Sequence, residues 1–371
     1  LNLYEIRIYD HFGNLVLILD KWNYLRYQQR LNAAWNHQVT VECSSDDPMV
    51  SKIRSIKKDY FVIIYRIDPI SLHKDLVYEG FNYTRVDQVN KAGDVIFNLY
   101  GAGYTSLLNR RVVLPPDLLE QNVKTGPAES VAKGFVYDCC VGSIIDRQTQ
   151  GLTLEFDSAT GDTTTQSIRY INLLTVIENT CEDGHIDFGI VGSIPPGQFE
   201  FQARPVWGTD HRVGNPDGNV PLVFDLLRNN MEIPIFSYNS SEEKNYIYIG
   251  GQNSGVDRII EEVSDPIAIA ESPWGRKESF DDARREETVD GLKSSGTAYL
   301  RDRAVQKTLS FNVRQTAGTR WLRNWKLGDL FNAVYFDENF EKQCTEVTVT
   351  VTSGSDAEAV ELVEIEMIDV T

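Results

Sequence analysis

No stretch of this 371-residue sequence approaches the roughly 20 consecutive apolar residues that cross a bilayer as a helix, so nothing in it reads as a membrane span or implies stable membrane insertion. The first residues carry Glu5, Arg7 and Asp10 among their apolar neighbours, which leaves out the apolar core of a secretory signal. Histidine is scarce, and His11, His37, His73, His185 and His211 never stand at ligand spacing from one another or from a cysteine, so no metal site is expected. There is no Gly-x-Ser-x-Gly elbow and no Cys/His pairing that marks a nucleophile. The five cysteines, Cys43, Cys139, Cys140, Cys181 and Cys344, are odd in number and include an adjacent pair badly placed to bridge to each other. Reduced, mostly buried thiols are expected, as suits assembly in a reducing cytoplasm. Positive charge is also short: 36 Lys and Arg stand against 54 Asp and Glu, a net charge of −18. Tight nucleic-acid binding depends on Lys and Arg displacing counterions and is not expected on that balance. An acidic surface still suits solubility, or a channel through which DNA passes without sticking.

What the sequence has in quantity is strand texture. Gly318 to Thr352 reads as two antiparallel strands joined through Asp337-Glu338-Asn339, because Val347, Val349 and Val351 alternate with Thr348, Thr350 and Thr352. Upstream, Trp325, Leu327, Gly328 and Asp329 form a turn entering a strand: Gly328 adopts angles closed to other residues and Asp329 caps through its carboxylate. Trp325 is expected to close the end of the barrel or sandwich that this hairpin completes. Val360 to Met367 is a last strand, in which Val360 and Leu362 fall out of phase with Val363, Ile365 and Met367, so a bulge is expected near Leu362.

The length suits two or three domains. Residues 1–116 are mostly strands, with a hairpin around His11-Phe-Gly-Asn14, at the spacing of a sandwich or barrel. Residues 117–204 read as a small α/β domain. Pro127 opens a short helix toward Cys140, a second helix covers Ile168 to Cys181 and stops at Gly184, and two strands flank Pro195-Pro-Gly197. After a loop from Val206 to Asn219, strand texture resumes in 205–250 and again in 307–371, a second β domain. It is interrupted by a charged helical insertion, 251–306, where Asp265 caps a helix with Pro266 at its first position and another helix runs from Leu292 to about Gln306. The expected fold is a β-rich α+β architecture: two antiparallel β-barrel or sandwich domains, a small α/β domain between them, and a helical insertion.

Each chemical signal has a plainer reading. Gly101-Ala-Gly103 lacks the third glycine of a dinucleotide fingerprint, since Ser106 stands there, and reads as a turn. Cys181-Glu-Asp-Gly-His185 reads as a helix C-cap. The acid pairs Asp281-Asp282 and Glu286-Glu287 sit among Arg276, Lys277, Arg284 and Arg285, as on a solvated or interfacial face rather than in a glycosidase site. Seventeen tyrosines and six tryptophans, with Trp22, Tyr24, Tyr27 and Trp35 close together, suit packing first and a subunit interface or glycan contact second. No catalytic residue and no cofactor is expected.

The ordered set of motifs resembles the hub proteins at the tail tip of long-tailed phages. It comprises Leu3-Tyr-Glu-Ile-Arg-Ile-Tyr-Asp10, Asn245-Tyr-Ile-Tyr-Ile-Gly-Gly-Gln252 with Gly250 and Gly251, and Gly255-Val-Asp-Arg258. Ser272-Pro-Trp-Gly-Arg-Lys-Glu-Ser-Phe280 with Pro273 and Trp274 follows, and then the Trp325 to Asp329 turn. The resemblance implies a homotrimer in which two barrels per chain give six quasi-equivalent barrels, adapting a sixfold tail tube to a threefold tip. It implies a central channel for DNA release. The implied partners are the distal tail protein or tube ring, the tape measure protein, and a central fibre or spike, at the tail tip of a virion. Hubs in many phages continue into lysozyme, peptidase or receptor-binding extensions; this sequence stops at Thr371, so wall-degrading activity is expected in another protein. A carbohydrate-binding or carbohydrate-cleaving β protein is the alternative, on the strength of the aromatics and acid pairs.

Overall fold

The computed structural model describes residues 3–19, 21–68, 71–142, 145–253, 255–284, 288–352 and 360–370. The chain divides into two compact units, one formed by Leu1–Glu232 with Asn312–Thr371 and the other by Ile233–Phe311.

In the first unit the N-terminal strands are β1 (Tyr4–Tyr9), β2 (Leu15–Leu19), β3 (Tyr24–Arg30) and β4 (Asn36–Cys43). A short helix α1 (Pro48–Arg54) leads to β5 (Tyr60–Ile67), β6 (Lys74–Val89) and β7 (Val95–Gly103). Their alternation is that of half-buried strands: Tyr4, Ile6 and Ile8 point inward, as do Leu25 and Tyr27, and Val39 and Val41. Gly101 belongs to this antiparallel ladder and not to a nucleotide loop; a Cβ there would meet the Phe81 carbonyl oxygen at 1.7 Å.

The small α/β region follows with β8 (Val112–Val113), β9 (Asn122–Pro127), α2 (Ala128–Val136), β10 (Leu152–Leu154), β11 (Thr163–Ile168), β12 (Ile171–Asn172), α3 (Leu173–Asp183), β13 (Asp187–Gly192) and β14 (Phe199–Arg204). The expected helix from Ile168 starts later, at Leu173. Ile168 ends a strand, Tyr170 has φ +56°, and the Asn172 side chain accepts from Leu174 N at 2.9 Å as the cap. It ends at Gly184 as expected. One apolar cluster joins the helices to the β13–β14 ladder, to Phe61 and Phe81 of the neighbouring sheet, and to Tyr104 in the 3-10 turn after β7. Within it Glu129 and Lys133, both buried, form an ion pair at 2.6 Å, and Glu129 also accepts from Ser158 N and Thr160 N.

The chain continues through β15 (Val223–Asp225) into β16 (Met231–Asn239), which pairs with β20 (Gln306–Val313) at the join between units. The second unit holds a three-stranded sheet of β17 (Tyr246–Gly250) flanked by β18 (Ile260–Ser264) and β19 (Glu278–Asp282), with α4 (Pro266–Glu271) and α5 (Val289–Asp302). The segment expected as a helical insertion therefore contains strands as well as helices. Asp265 caps α4 as expected, accepting from Ile267 N and Ala268 N. Gly296 of α5 is buried because Val263 occupies the space its side chain would take, at 2.7 Å.

The chain ends with β21 (Leu330–Tyr335), β22 (Glu338–Thr352) and β23 (Val360–Asp369). Val347, Val349 and Val351 are fully buried, each contributing about 1.5–3 kcal/mol by its removal from water. The hairpin turns at Phe336-Asp337, slightly earlier than expected.

Two expectations are corrected here. The strand-rich ends do not make two barrels. β22 pairs with β3 from Glu346↔Arg30 to Thr352↔Tyr24, so both ends share one eleven-stranded sheet ordered β15-β21-β22-β3-β4-β7-β6-β5-β1-β2, with β23 beside β22, and no sheet among the described residues closes into a barrel. Nor is there a bulge near Leu362. The β22–β23 register is regular from Glu346↔Glu366 to Thr352↔Val360, and Val360 and Leu362 lie on the exposed face while Glu361 turns inward. The inward carboxylate is held by Arg66 through two hydrogen bonds of 2.8 Å, and it also accepts from the Tyr4 hydroxyl.

Candidate assembly surfaces

The turn singled out from the sequence is a buried structural joint. Gly328 has φ +87°, and the loop before it passes so close that a Cβ on Gly208 would lie 2.2 Å from the Gly328 carbonyl carbon. Asp329 is buried, accepting from Thr209 N at 2.7 Å and Lys326 N at 2.9 Å, so it ties two loops together; burial pushes its carboxyl pKa up while those N–H groups oppose the rise. Trp325 is buried and donates from Nε1 to the Thr319 carbonyl at 2.9 Å, and Leu327 is buried beside it. Trp325 therefore packs within the unit and closes no barrel.

The remaining signature residues belong to the second unit. Gly250 leaves room for Arg258, whose guanidinium donates to the Gly250 carbonyl at 2.9 Å and the Gly251 carbonyl at 3.1 Å. Pro273 and Trp274 lie in a turn that leaves Trp274 91% exposed. Trp325, Leu327, Gly328 and Asp329 are thus brought together, whereas Gly250, Gly251, Pro273 and Trp274 fall in the other compact unit.

Several residues behind the carbohydrate alternative are occupied. Trp22 and Tyr27 are buried and stack edge-on with Tyr4, and Trp35 packs against Tyr78. Asp282 is engaged by Arg258 and Arg284. Arg285, Glu286 and Glu287 lie outside the described residues. All five cysteines are free thiols, four of them buried, and burial pushes Cys139 up to about 11. Among the described residues no group of His, Cys, Asp and Glu is arranged to hold a metal, and no helix is long and apolar enough to cross a membrane.

Two surfaces of the first unit combine apolar side chains with charges that lack an opposite partner among the described residues. The first is a shallow depression of about 290 Å³ lined by Arg110, Arg111, Val112, Leu114, Asp146 and Arg147. Arg110 is taken by Asp59 at 2.6 Å. Arg111 donates to the Arg147 carbonyl and Arg147 to the Val112 carbonyl, and among the described residues neither has a carboxylate in ion-pair range. Val112 and Leu114 are 41% and 40% exposed. The second is the outer face of β23, where Val360, Leu362, Glu364, Glu366 and Ile368 all point to solvent. The inward acids of that strand are paired, Glu361 with Arg66 and Asp369 with the buried Lys342 at 2.8 Å, whereas Glu364 and Glu366 meet no cation among the described residues. Sequence reading singled out neither surface. The alternation in β23 was visible, but which of its phases faced inward depended on the remote Arg66.

The family profile of the Siphovirus ReqiPepy6 Gp37-like proteins matches residues 5–363. The fold is similar to that of a 43 kDa tail protein of prophage MuSo2 from Shewanella oneidensis, at 11% identity and a TM-score of 0.59 over 98% of this chain and 97% of that one. It is similar also to a tail protein from Neisseria meningitidis MC58, at 11% identity and a TM-score of 0.53 over 98% and 96% of the two chains. Prophage tail protein gp18 from Listeria monocytogenes EGD-e gives 11% identity and a TM-score of 0.53 over 97% and 94%. Among curated protein sequences none matches significantly.

Proposed function

Because the chain belongs to the Siphovirus ReqiPepy6 Gp37-like protein family, we propose that it is a structural hub of a phage tail tip, a homotrimeric ring that adapts the sixfold tube to a threefold tip. The observation that carries this reading is the family match along residues 5–363, reinforced by a fold held in common with phage tail proteins over nearly the whole of both chains. In the ring, 1–116 together with 205–250 and 307–371 supply the β part of each chain, 117–204 is a packed α/β domain, and 251–306 is a charged insertion. The net charge of −18 lets DNA pass through the channel without binding. The distal tail protein or tube ring and the tape measure protein lie on one side, and the central fibre or spike on the other. The protein acts as a scaffold and not as an enzyme. Of the acids open to a glycosidase reading, Asp282 is engaged by Arg258 and Arg284.

Electron microscopy of the purified chain tests this reading. Rings with threefold symmetry and an open centre are expected; particles without symmetry, together with glycan binding lost in Trp274→Ala, would transfer support to the carbohydrate alternative.

A further inference from the structure

We propose that the outer face of β23 in one copy docks into the arginine-lined depression beside β8 of the next copy, an inference that rests on the trimeric reading above. The two surfaces are complementary in kind: two arginines, with the single carboxylate of Asp146 beside them, against two carboxylates. Arg111 and Arg147 are anchored by backbone carbonyls with no carboxylate partner in the described residues, and Glu364 and Glu366 stand two residues apart on one strand face with no cation. Glu366 lies directly opposite Glu346, and Arg30, the basic residue paired with Glu346 on the next strand, is engaged by Glu346 at 3.2 Å and not by Glu366. Apolar side chains border both sets: Val112 and Leu114 in the depression, Leu362 and Ile368 on the strand, each of the last two 53% exposed. Elsewhere on β23 the acids are matched within the chain, so the unmatched pair is specific to the outward face.

The two surfaces differ from each other and belong to the same unit, so their contact is head-to-tail. Such contacts close into rings when the rotation between copies permits. Apposed arginines and carboxylates at the centre of an apolar patch form charge-assisted bonds that set register and exclude like-charged arrangements.

The test measures the mass of the full chain by light scattering over a dilution series, with circular dichroism as the control for folding. Wild type is expected as a trimer. Glu364→Arg/Glu366→Arg and Arg111→Glu/Arg147→Glu are each expected to raise the half-dissociation concentration about 100-fold, and the chain carrying all four changes to recover most of that loss. Should the arginine reversals unfold the β8 region, Arg111→Gln/Arg147→Gln carries the same test, with a loss of about 10-fold expected. A trimer indifferent to the reversals, or broken by them without rescue in the combined variant, overturns the docking while leaving the trimer standing. A wild-type monomer at every soluble concentration overturns both.

Discussion

Arg66 on β5 and Glu361 on β23, 295 residues apart in sequence, form a two-pronged ion pair with both bonds at 2.8 Å and both side chains largely buried. Arg66 also lies over the Trp321 ring, at 5.8 Å, and Glu361 reaches Tyr4, so this contact brings the last strand of the chain against the first. Removing one partner strands a charge in the interior. Glu361→Ala is expected to destabilise the first unit by roughly 2–4 kcal/mol, with Arg66→Met/Glu361→Leu nearer neutral. Urea unfolding of the single and double variants checks both values; equal losses in single and double would contradict the account.

The Gly328 turn supports a second expectation. Its φ of +87° is costly for other residues, and a Cβ would lie 2.8 Å from Gly208 N and 3.0 Å from the Trp207 Cβ. Gly328→Ala is expected to cost about 1–3 kcal/mol, from strain and displacement of the crossing loop. Asp329→Ala is expected to cost a similar 1–3 kcal/mol by leaving Thr209 N and Lys326 N unpaired. Thermal melting of the two variants measures this, and unchanged midpoints would show that the turn is not the joint described.

Glu79 gives a pH dependence. Burial pushes its pKa from 4.5 up to about 7 against a single opposing N–H from Gly192, and its Oε1 and the nearby Tyr104 hydroxyl have no hydrogen-bond partner among the described residues. The folded chain therefore holds a proton that the unfolded chain releases above pH 4.5, so this group's contribution to stability falls as pH rises from 4.5 through 7. Glu79→Gln is expected to gain on the order of 1–3 kcal/mol at pH 8 and little at pH 4. A variant no more stable than wild type at pH 8 would refute this.

Glu129 is the opposite case. Burial alone pushes its pKa up, but hydrogen bonds from Lys133, Thr160 and Ser158 hold it down to about 2. Its stabilisation is complete above pH 4.5 and is lost as pH falls toward 2. Glu129→Gln is expected to cost roughly 2–3 kcal/mol at pH 7, with the gap to wild type narrowing below pH 4. Denaturation curves at pH 7 and pH 3 decide it; a gap that stays constant would contradict the assignment.

Local patterns were legible where local physics decided them. The Val347, Val349 and Val351 face, the Asp265 cap with Pro266, and the Gly184 helix stop all lay open in the sequence, because each depends on neighbours a few residues away. The helix from Ile168 was drawn too early because the apolar spacing ran through Tyr170, whose left-handed backbone and the Asn172 cap reset the start. The bulge expected at Leu362 rests on Val360 and Leu362 falling out of phase with Val363, Ile365 and Met367. Only Arg66 makes an inward carboxylate tolerable there. The single sheet uniting both ends was illegible for the same reason, since Val349↔Tyr27 is a pairing across most of the chain. The assembly surfaces were hidden because each depends on charges that lack partners in three dimensions, a property no spacing reports.

The solution mass of the purified chain, measured by light scattering across concentration and salt, bears most directly on the proposed hub. The account predicts three times the 42.1 kDa chain mass, falling toward one as salt screens the paired charges. A particle of one chain mass at every concentration and salt would contradict it.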